Sequence, residues 1–419
     1  MVISRSLVIL TKAGYKNTIM GEIPEDWALK NLGDNEVSLI KMGQSPPSNT
    51  YNKVGDGLPF LQGNAEFGFK YPSFTIYCSL PLKTTQPGDI LISVRAPVGD
   101  VNIANSEYCI GRGLAAIRPN SKNTVSLFLY YTLNHSKVVL ERISTGSTFK
   151  AIGKEQLYGL KIPFPKIKEQ QKIAEILSAA DGAIQKVNEQ ITLTEQLKNG
   201  LMQKLLTRGI GHTRFRETEI GEIPEDWSSL ELNEVAQRFV SGGTPSTKNK
   251  GYWNGHIHWT RGANLTNHYL TNGEKTITDE GLKYSSSNIV KSGNLLVATR
   301  VSVGNVSINQ IDIAISQDVT GIILDKTRMT EDFLYWYFKY TKDTITAYNR
   351  GSTIKGITRN DFQKLKITVP PISEQNKIAD MLNTAELKNK FLSEKMVQLT
   401  KLKNSLMNDL LTGKVRVKV

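Results

Sequence analysis

Two long segments of the chain carry apolar residues at heptad spacing, and each segment opens after a proline, Pro165 or Pro371. This periodicity predicts two α-helices of about 38 residues, or about 57 Å, each with a narrow apolar stripe. The packing positions of the first helix are Ile173, Leu177, Ala180, Ile184, Val187 and Ile191, followed by Leu197, Leu201 and Leu205. Those of the second are Ile378, Leu382, Ala385, Asn389, Leu392, Met396 and Leu399, followed by Leu402, Leu406 and Leu410.

A narrow apolar stripe of this length needs a partner, which is either the helix's own globular domain or the other helix. The equal length and phase of the two stripes favour a coiled coil. The chain must leave a first domain along one helix and leave a second domain along the other. The pair is therefore predicted to run antiparallel, with the domains at opposite ends and related by an approximate two-fold axis.

The two halves of the chain are copies of each other. The heptapeptide GEIPEDW occurs at Gly21–Trp27 and again at Gly221–Trp227. Further runs align without gaps: Gly88–Ile103 with Gly293–Ile308, Thr145–Ile162 with Arg350–Ile367, Glu169–Leu177 with Glu374–Leu382, and Leu197–Thr207 with Leu402–Thr412. Copies of about 200 residues are too long for a solenoid repeat, so they indicate a duplicated domain pair.

Ahead of each helix, short β-type runs such as ILISV and LLVAT are separated by Gly, Pro, Asn and Ser residues. This pattern indicates a globular α/β or mainly β domain. The predicted fold class is α/β, with two globular domains joined by two long antiparallel helices and an internal pseudo-two-fold repeat. The expected boundaries are an N-terminal tail at 1–18, a first domain at 19–164, a first helix at 165–208, a second domain at 209–369, a second helix at 370–412 and a C-terminal tail at 413–419.

The charge balance is the unusual feature of the composition. The 419 residues include 52 Lys and Arg against 39 Asp and Glu, a net charge of +13. Such a balance favours a polyanionic partner, and nucleic acid is the commonest one. Cys78 and Cys109 are too few for a disulfide framework and indicate buried free thiols in a reducing compartment. The apolar run Leu7–Leu10 is too short for a membrane span, so a soluble, cytoplasmic protein is expected.

The repeated heptapeptide holds three carboxylates in this basic protein, which in the first copy are Glu22, Glu25 and Asp26. Phosphates would repel them, so the heptapeptide is predicted to lie away from a nucleic-acid-binding face. Ile23 and Trp27 are expected to anchor it in the domain. The two-fold repeat places this first copy beside the end of the second helix, near the tail GKVRVKV.

The order of these motifs, written twice, resembles the DNA specificity subunit of type I restriction-modification enzymes. The resemblance covers about Ile19 to Thr412. It depends on GEIPEDW at the start of each copy, GGTPS at Gly242–Ser246, the runs GDILISVRAPVGDV and LLVATRVSVGNV, GST at Gly146–Thr148 and Gly351–Thr353, and EQxKIA helix starts at Glu169 and Glu374. No single motif is strongly specific, but their repeated order is.

The resemblance implies two target recognition domains, each reading one half of a split double-stranded DNA sequence, with the long helices as spacer and docking site. It also implies assembly with two modification subunits, which hold S-adenosylmethionine and methylate adenine, and with restriction subunits. S-adenosylmethionine, ATP and Mg²⁺ are then expected on those partners only, so this chain is expected to hold no cofactor and no metal. No membrane association is implied.

The motifs that come closest to catalytic sites are incomplete. SPPS at Ser45–Ser48 approaches the loop of adenine methyltransferases but ends in serine, where an aromatic residue stacks on the flipped base. GRGLAA at Gly111–Ala116 satisfies a dinucleotide fingerprint, but its counterpart in the second copy is SQDVTG. We therefore predict a non-catalytic subunit. The competing interpretations are a fragment of a fused methyltransferase–restriction enzyme and a coiled-coil scaffold that binds no DNA.

Residues shared by both copies suit contacts to the DNA backbone, which carry no sequence information. The GST-x-K elements supply Ser147, Thr148 and Lys150 in the first copy and Ser352, Thr353 and Lys355 in the second. The alternative is a turn with a solvated lysine. Arg95 and Arg300 occupy equivalent strand ends, where a DNA contact and a buried ion pair fit the sequence equally well.

Base readout is expected where the copies differ, because two domains that read different half-sites must present different side chains. The differing segments are mainly Ala28–Pro87 and Ser228–Ser292. The candidates are Gln62, Asn64 and Lys70 in the first and Lys248, Lys250, Arg261, Asn264 and His268 in the second.

Overall fold

The computed structural model describes residues 13–144, 151–347 and 356–418. The chain divides into two compact units: unit 1 comprises residues 1–188 and 394–419, and unit 2 comprises residues 189–393. Both boundaries fall inside a long helix. Each unit therefore contains one globular domain, the start of one long helix and the end of the other.

Unit 1 is a mixed α/β domain built on small, mainly antiparallel sheets. Its strands are β1 (Tyr15–Thr18), β2 (Gly21–Pro24), β3 (Ala28–Asn31), β4 (Ser38–Met42), β5 (Tyr51–Asn52), β6 (Leu58–Leu61), β7 (Tyr77–Cys78), β8 (Ile90–Ser93), β9 (Val101–Ile103), β10 (Cys109–Ile110), β11 (Leu114–Pro119) and β12 (Lys161–Phe164). Its helices are α1 (Ser126–His135), α2 (Lys137–Ile143), α3 (Lys154–Tyr158) and the start of α4 (Ile167–Arg208). Two four-stranded sheets, β4-β11-β8-β9 and β10-β6-β7-β5, form the body, and the pairs β1-β2 and β12-β3 flank it.

The apolar run of β8 is explained by cores on both of its faces. Alternate residues of a strand point to opposite sides of a sheet. Ile90 and Ile92 are buried with Phe128 of α1 and with the long helices, while Leu91 is buried with Leu61 at the end of β6. A strand covered on both faces carries no alternation of apolar and polar residues.

Unit 2 repeats this arrangement with longer strands. Its strands are β13 (Phe215–Thr218), β14 (Gly221–Pro224), β15 (Ser228–Glu231), β16 (Ala236–Ser241), β17 (Trp253–Thr260), β18 (Tyr269–Leu270), β19 (Lys275–Ile277), β20 (Asn288–Val290), β21 (Leu295–Ala298), β22 (Val306–Asn309), β23 (Ile313–Ile315), β24 (Val319–Leu324) and β25 (Lys366–Val369). Its helices are α5 (Leu232–Val235), α6 (Asp279–Lys283), α7 (Glu331–Tyr340), α8 (Lys342–Ala347), α9 (Arg359–Gln363) and the start of α10 (Ile372–Leu411). The sheets are β16-β24-β21-β22-β18 and β19-β17-β23-β20, with the pairs β13-β14 and β15-β25.

Helix α7 shows how the local sequence sets an element of unit 2. Thr330 caps its start, since the side-chain oxygen accepts a hydrogen bond from the N–H of Phe333, and this satisfies one free donor of the first turn. Glu331 and Asp332 follow in that turn, where negative charge is favoured by the helix dipole. Five aromatic residues of the helix, including Phe333 and Trp336, are buried in the main core of unit 2.

The two long helices pack start against end inside each unit, which confirms the predicted antiparallel direction. In unit 1, Leu177 near the start of α4 and Leu410 near the end of α10 lie in one core. In unit 2, Leu382 near the start of α10 and Leu205 near the end of α4 lie in one core. Both cores also contain the domain's own residues, so the two packing partners considered from the sequence are used together.

Most of the predicted packing positions are covered. Ile173, Leu177, Ile184, Val187, Ile378, Leu382 and Leu392 are buried, and Ile191, Met396 and Leu399 are half-buried. The prediction for Leu197 and Leu402 is wrong, because these side chains are 57% and 53% exposed. The heptad frame reaches Lys198 and Lys403 instead, seven residues after Ile191 and Met396. Both lysines pair with carboxylates, at 2.7 Å from Glu386 and 2.6 Å from Asp181.

The helix ends agree with the glycine signals in the sequence. Gly209 follows α4 with a φ of 62°, and Gly413 lies just after α10 with a φ of 73°. This left-handed backbone is readily adopted by glycine and ends a helix. Within the described ranges, no helix is both long enough and apolar enough to cross a membrane.

Candidate nucleic-acid interface

Each domain is tied to the start of its long helix by an equivalent tryptophan–glutamate pair. The indole Nε1 of Trp27 donates to Glu169 Oε2 at 3.0 Å, and that of Trp227 donates to Glu374 Oε2 at 3.0 Å. Trp27 and Ile23 are each 1% exposed, which confirms that they anchor the first heptapeptide. The heptapeptide and the EQxKIA motif are therefore two halves of one joint.

The glutamine of the EQxKIA motif completes that joint. Gln170 Nε2 donates to the carbonyl of Pro165 at 2.9 Å, and its Oε1 accepts from Val125 N at 2.9 Å. In unit 2, Gln375 donates to the carbonyl of Pro370 at 2.8 Å and accepts from Thr330 N at 2.8 Å. A buried amide bonded at both ends fixes the angle at which the helix leaves the domain.

In unit 1 the chain's C-terminal tail closes the joint, as predicted for the first heptapeptide. Arg416 donates to both carboxylate oxygens of Asp26 at 2.9 Å. It also donates to Glu169, from Nε at 2.7 Å and from Nη2 at 3.0 Å. The hydrogen bond from Arg416 lowers the pKa of Asp26 below its usual value. Two bidentate carboxylate pairs on one guanidinium are a strong, directional arrangement.

In unit 2 a histidine from the chain after α4 takes the place of that arginine. His212 Nε2 lies 2.9 Å from Glu374 Oε1, and its Nδ1 lies 3.8 Å from Asp226 Oδ2. Arg208 of α4 adds a bond to Glu222 of the heptapeptide at 2.7 Å. Carboxylates of the heptapeptide, Asp26 in unit 1 and Glu222 and Asp226 in unit 2, thus lie beside basic side chains at the helix ends, which the sequence did not predict.

Two of the three candidate base-reading residues of unit 1, Gln62 and Asn64, follow the carboxyl end of β6. Gln62 is exposed there, and it lines a cleft of about 330 Å³ with Asn64, Arg95 and Arg112. Asn64 is already engaged, because its Nδ2 donates to Asp100 Oδ2 at 2.7 Å.

Lys70 lies outside the residues that line this cleft. It is half-buried, with its Nζ 5.9 Å from the ring centroid of Tyr71. The three candidates of unit 1 are therefore not brought together in one site. Gln62 and Asn64 share the cleft, and Lys70 packs on an aromatic ring.

The candidates of unit 2 are spread over two places. Lys248 and Lys250 are exposed in the segment that follows β16. Arg261 is exposed at the end of β17, where its Nε donates to Glu274 Oε2 at 2.8 Å. Asn264 follows it in a 3₁₀ turn, and its Nδ2 donates to Thr260 Oγ1 at 3.3 Å.

The prediction of a DNA contact for His268 is wrong. Its ring is stacked between Tyr269 and Tyr335, with centroid distances of 4.1 Å and 3.8 Å, and its side chain is only 10% exposed. Nε2 lies 3.0 Å from Asp332 Oδ1. Burial alone would raise the pKa of Asp332, but the neighbouring His268 side chain and the hydrogen bond from Tyr269 hold it below its usual value. His268 is therefore a packing residue of the unit 2 core.

The predicted phosphate-binding residues Ser147, Thr148, Lys150, Ser352, Thr353 and Lys355 lie outside the described residues. The chain just after each segment is described. Ile152 N donates to Val94 O and Ile357 N donates to Thr299 O, both at 2.9 Å. Arg95 follows Val94 in the chain, and Arg300 follows Thr299. Both arginines are exposed, which rules out the buried ion pair considered from the sequence.

The glycines of GRGLAA have a packing explanation. A Cβ on Gly113 would lie 2.5 Å from Gln62 O, and one on Gly111 would lie 3.2 Å from Gln62 Cα. The segment follows β10 and leads into β11, so it joins two strands where a dinucleotide fingerprint joins a strand to a helix. Sequence reasoning treated this segment as a glycine motif and missed Arg112 between the glycines, which is exposed in the cleft with Gln62.

The duplicated joints and strand ends match a known family of domains. The family model for the type I restriction modification DNA specificity domain matches residues 24–198 and 224–401. This chain belongs to that family. Each match covers one copy of the internal repeat, so the specificity domain occurs twice in the chain.

Specificity subunits of Methanocaldococcus jannaschii are similar in sequence to this chain. The chain is 48% identical over 193 residues to the putative type I restriction enzyme MjaX specificity subunit, in an alignment that covers 46% of this chain and 45% of that protein. This chain therefore spans about half the length of that relative. The type I restriction enzyme MjaVIII specificity subunit is 25% identical over 416 residues, covering 94% of each chain.

Two solved structures show the same fold. The specificity subunit of a type I restriction-modification system from M. genitalium superposes with a TM-score of 0.60 at 15% identity, covering 92% of this chain and 96% of that chain. A chain from a study of complex assembly and conformational transition of the type I system gives a TM-score of 0.60 at 17% identity, covering 94% and 99%. The fold is therefore that of type I specificity subunits, with the specificity domain written twice.

Proposed function

We propose that this chain is the DNA-reading subunit of a type I restriction-modification complex, in which each unit binds one half of a split double-stranded DNA sequence. The observation that carries the proposal is a contrast between the two units. Both have the same contact between domain and helix, but the exposed side chain at the end of β6 is Gln62, whereas at the end of β17 it is Arg261. A common frame with different reading residues is what recognition of two different half-sites requires.

The charge of the chain supports this proposal. Its net charge of +13 favours binding to phosphates through counterion release. Arg95 and Arg300 are exposed at equivalent strand ends, and in each unit the residue before the arginine accepts a hydrogen bond from the chain that follows the GST-x-K element. Identical cations at equivalent positions suit a backbone grip that is the same for every sequence, and we assign Ser147, Thr148, Lys150 and their counterparts to that grip as well.

We further propose that the outer faces of the long helices bind the modification subunits. In unit 2, Lys198 lies 2.7 Å from Glu386, and this register places Leu197 level with Leu387 on the neighbouring helix. Leu193, Leu197, Leu387 and Phe391 are 65%, 57%, 66% and 64% exposed. Apolar side chains exposed in such a cluster mark a protein interface.

This docking proposal is tested by co-purification. We expect Leu197→Asp with Phe391→Asp to abolish recovery of the modification subunit with the chain, because charges would be placed in an apolar contact. Lys388→Asp, at an exposed polar position of the same helix, should leave recovery unchanged. Full recovery with the double variant would show that the modification subunit docks elsewhere.

The proposed subunit is not itself an enzyme. In this proposal methylation of adenine belongs to two modification subunits with bound S-adenosylmethionine, and cleavage belongs to restriction subunits that use ATP and Mg²⁺. A cytoplasmic location is supported by Cys78 and Cys109, which are buried and unbridged. Burial raises the pKa of Cys109 to about 11, which keeps it a neutral thiol.

The experiment that tests the function uses the chain with and without a co-expressed modification subunit. We expect a DNA mobility shift and adenine methylation at one two-part sequence only when both proteins are present. Methylation by this chain alone would contradict the proposal. So would methylation by the modification subunit alone at the same sequence, because the chain would then add no specificity.

A further inference from the structure

Two parallel strands of unit 1 end side by side and point their next residues into the same cleft. Leu61 of β6 pairs with Ile110 of β10, and Gly111 N donates to Leu61 O at 2.8 Å. Parallel strands end at the same edge of a sheet. Gln62 and Arg112, the next exposed side chains of the two segments, therefore share this corner, and both line the cleft of about 330 Å³.

Unit 2 contains the same corner. Thr260 of β17 pairs in parallel with Ile315 of β23, and Ser316 N donates to Thr260 O at 2.9 Å. The next exposed side chains are Arg261 and Gln317. By strand and hydrogen-bond register, Arg261 occupies the place of Gln62, and Gln317 occupies the place of Arg112.

A hydroxyl group positions the second side chain of each corner. Ser45 Oγ accepts from Arg112 N at 3.1 Å and from its Nε at 3.4 Å. Thr244 occupies the same place in unit 2, and its hydroxyl donates to Gln317 Oε1. The support is therefore duplicated, while the side chain that it holds differs.

Each corner thus combines one guanidinium with one carboxamide, in exchanged positions. In DNA major grooves, Arg bonds to the O6 and N7 of guanine with two donors, and Gln bonds to the N6 and N7 of adenine with a donor and an acceptor. These two side chains can therefore tell a G·C pair from an A·T pair by two hydrogen bonds each.

We infer that Arg112 and Gln317 are specificity-determining residues, which read bases together with Gln62 and Arg261 in the two half-sites. Each half-site then contains a G·C pair and an A·T pair read by one corner, with their order exchanged between the halves. The inference rests on the DNA-reading function proposed above and names which side chains carry it.

The contrast with Arg95 and Arg300 supports base contacts over phosphate contacts. These two arginines are also exposed at equivalent places, and they are the same residue in both units. A phosphate contact has no reason to differ between two half-sites, whereas a base contact does. Between the two units the corner residues differ, whereas the arginine beside the corner, Arg95 or Arg300, is the same.

The test measures the methylated sequence in cells that lack other adenine methylation, with the modification subunit co-expressed. We expect Arg112→Gln to relax or change the preference at base pairs of one half-site only, by roughly 5- to 150-fold. Gln317→Arg should do the same in the other half-site. Lys122→Gln removes an exposed positive charge of unit 1 at a turn away from the cleft and should leave the methylated sequence unchanged.

The double variant Gln62→Arg with Arg112→Gln gives unit 1 the order of unit 2. We expect it to keep methylating DNA at a changed sequence, in which the G·C and A·T preferences of one half-site are exchanged. This outcome cannot arise from misfolding, which would end methylation. Variants that methylate the wild-type sequence with unchanged preferences, or that lose activity equally on all sequences while remaining folded, would overturn the inference. A wild-type complex that methylates no defined sequence would instead contradict the proposed function.

Discussion

The two units of the chain are alike where the helix joins the domain and different at the ends of the parallel strands, where we propose that each domain reads DNA. Trp27 meets Glu169, and Trp227 meets Glu374, both at 3.0 Å. At the strand ends, by contrast, Gln62 stands where the other unit has Arg261. The comparison shows which contacts build the frame and which are free to carry specificity.

A second difference between the units lies in the basic side chain that closes each joint. Arg416 of the C-terminal tail bonds to Glu169 and Asp26 in unit 1, whereas His212 bonds to Glu374 in unit 2. The tail of the chain therefore completes the first unit as the segment after α4 completes the second. A guanidinium that bridges two carboxylates should contribute more stability than a single imidazole bond.

The largest expected effect is on the shared helix packing. Leu177→Ala and Leu382→Ala each remove a fully buried side chain and should each lower the free energy of unfolding of their own unit by about 2 to 5 kcal/mol. Hydrogen exchange measured separately for the amides of each unit checks this. Leu402→Ala, at a position 53% exposed, should change it by less than about 0.5 kcal/mol. An equal loss of unfolding free energy in all three variants would show that Leu402 belongs to the packed contact between the two helices.

A smaller effect is expected at the buried glutamine of each joint. Gln170→Ala leaves the N–H of Val125 and the carbonyl of Pro165 without this partner, so unit 1 should lose about 2 to 3 kcal/mol of unfolding free energy. Gln375→Ala should do the same to unit 2. The neighbouring exposed residues supply matched controls, Gln171→Ala and Asn376→Ala, for which denaturant unfolding should show almost no change. Losses as large in the controls would argue against the bridging role.

The smallest of these effects concerns Arg416, the arginine that closes the joint of unit 1. Arg416→Ala should cost unit 1 about 1 to 2 kcal/mol at pH 7, because Asp26 is 53% exposed and solvent screens its share. Since the pKa of Asp26 is lowered in the folded chain, its contribution is present above about pH 4 and is lost as the pH falls further. Unfolding measured from pH 7 to pH 3 should show this loss in the wild type and a weaker one in the variant. Identical pH profiles of the wild type and Arg416→Ala would show that the pair of Arg416 with Asp26 does not contribute to stability.

The fold could be predicted from the sequence to a large extent because the signals were repetitive. The heptad spacing predicted two helices, the order of domains and helices along the chain predicted their antiparallel direction, and the duplicated GEIPEDW predicted an equivalent entry to each domain. The tail GKVRVKV was correctly placed beside the first heptapeptide by the two-fold argument. The prediction for Leu197 and Leu402 was wrong because it chose the nearest leucine. The heptad spacing from Ile191 and Met396 leads instead to Lys198 and Lys403, which face the other helix.

The candidate site could be predicted only in part. Segment divergence drew attention to Gln62 and Arg261, but it passed over Arg112 and Gln317, which lie in a part of the repeat that aligns without gaps. Their importance depends on two parallel strands ending together, a pairing between distant parts of the chain. His268 was misassigned because its polarity suggested a ligand, whereas its neighbours in space are two tyrosine rings.

The most direct test of the claim that each unit reads one half-site is to build a chain in which both units carry the same domain. Residues 28–164 are replaced by residues 228–369, which leaves Trp27 and Glu169 of the first joint in place, and the methylated adenines are mapped in cells with the modification subunit. If each unit reads one half-site, we expect a methylated sequence whose two halves are the same and match one half of the wild-type site. A sequence with the two original, different halves would contradict it.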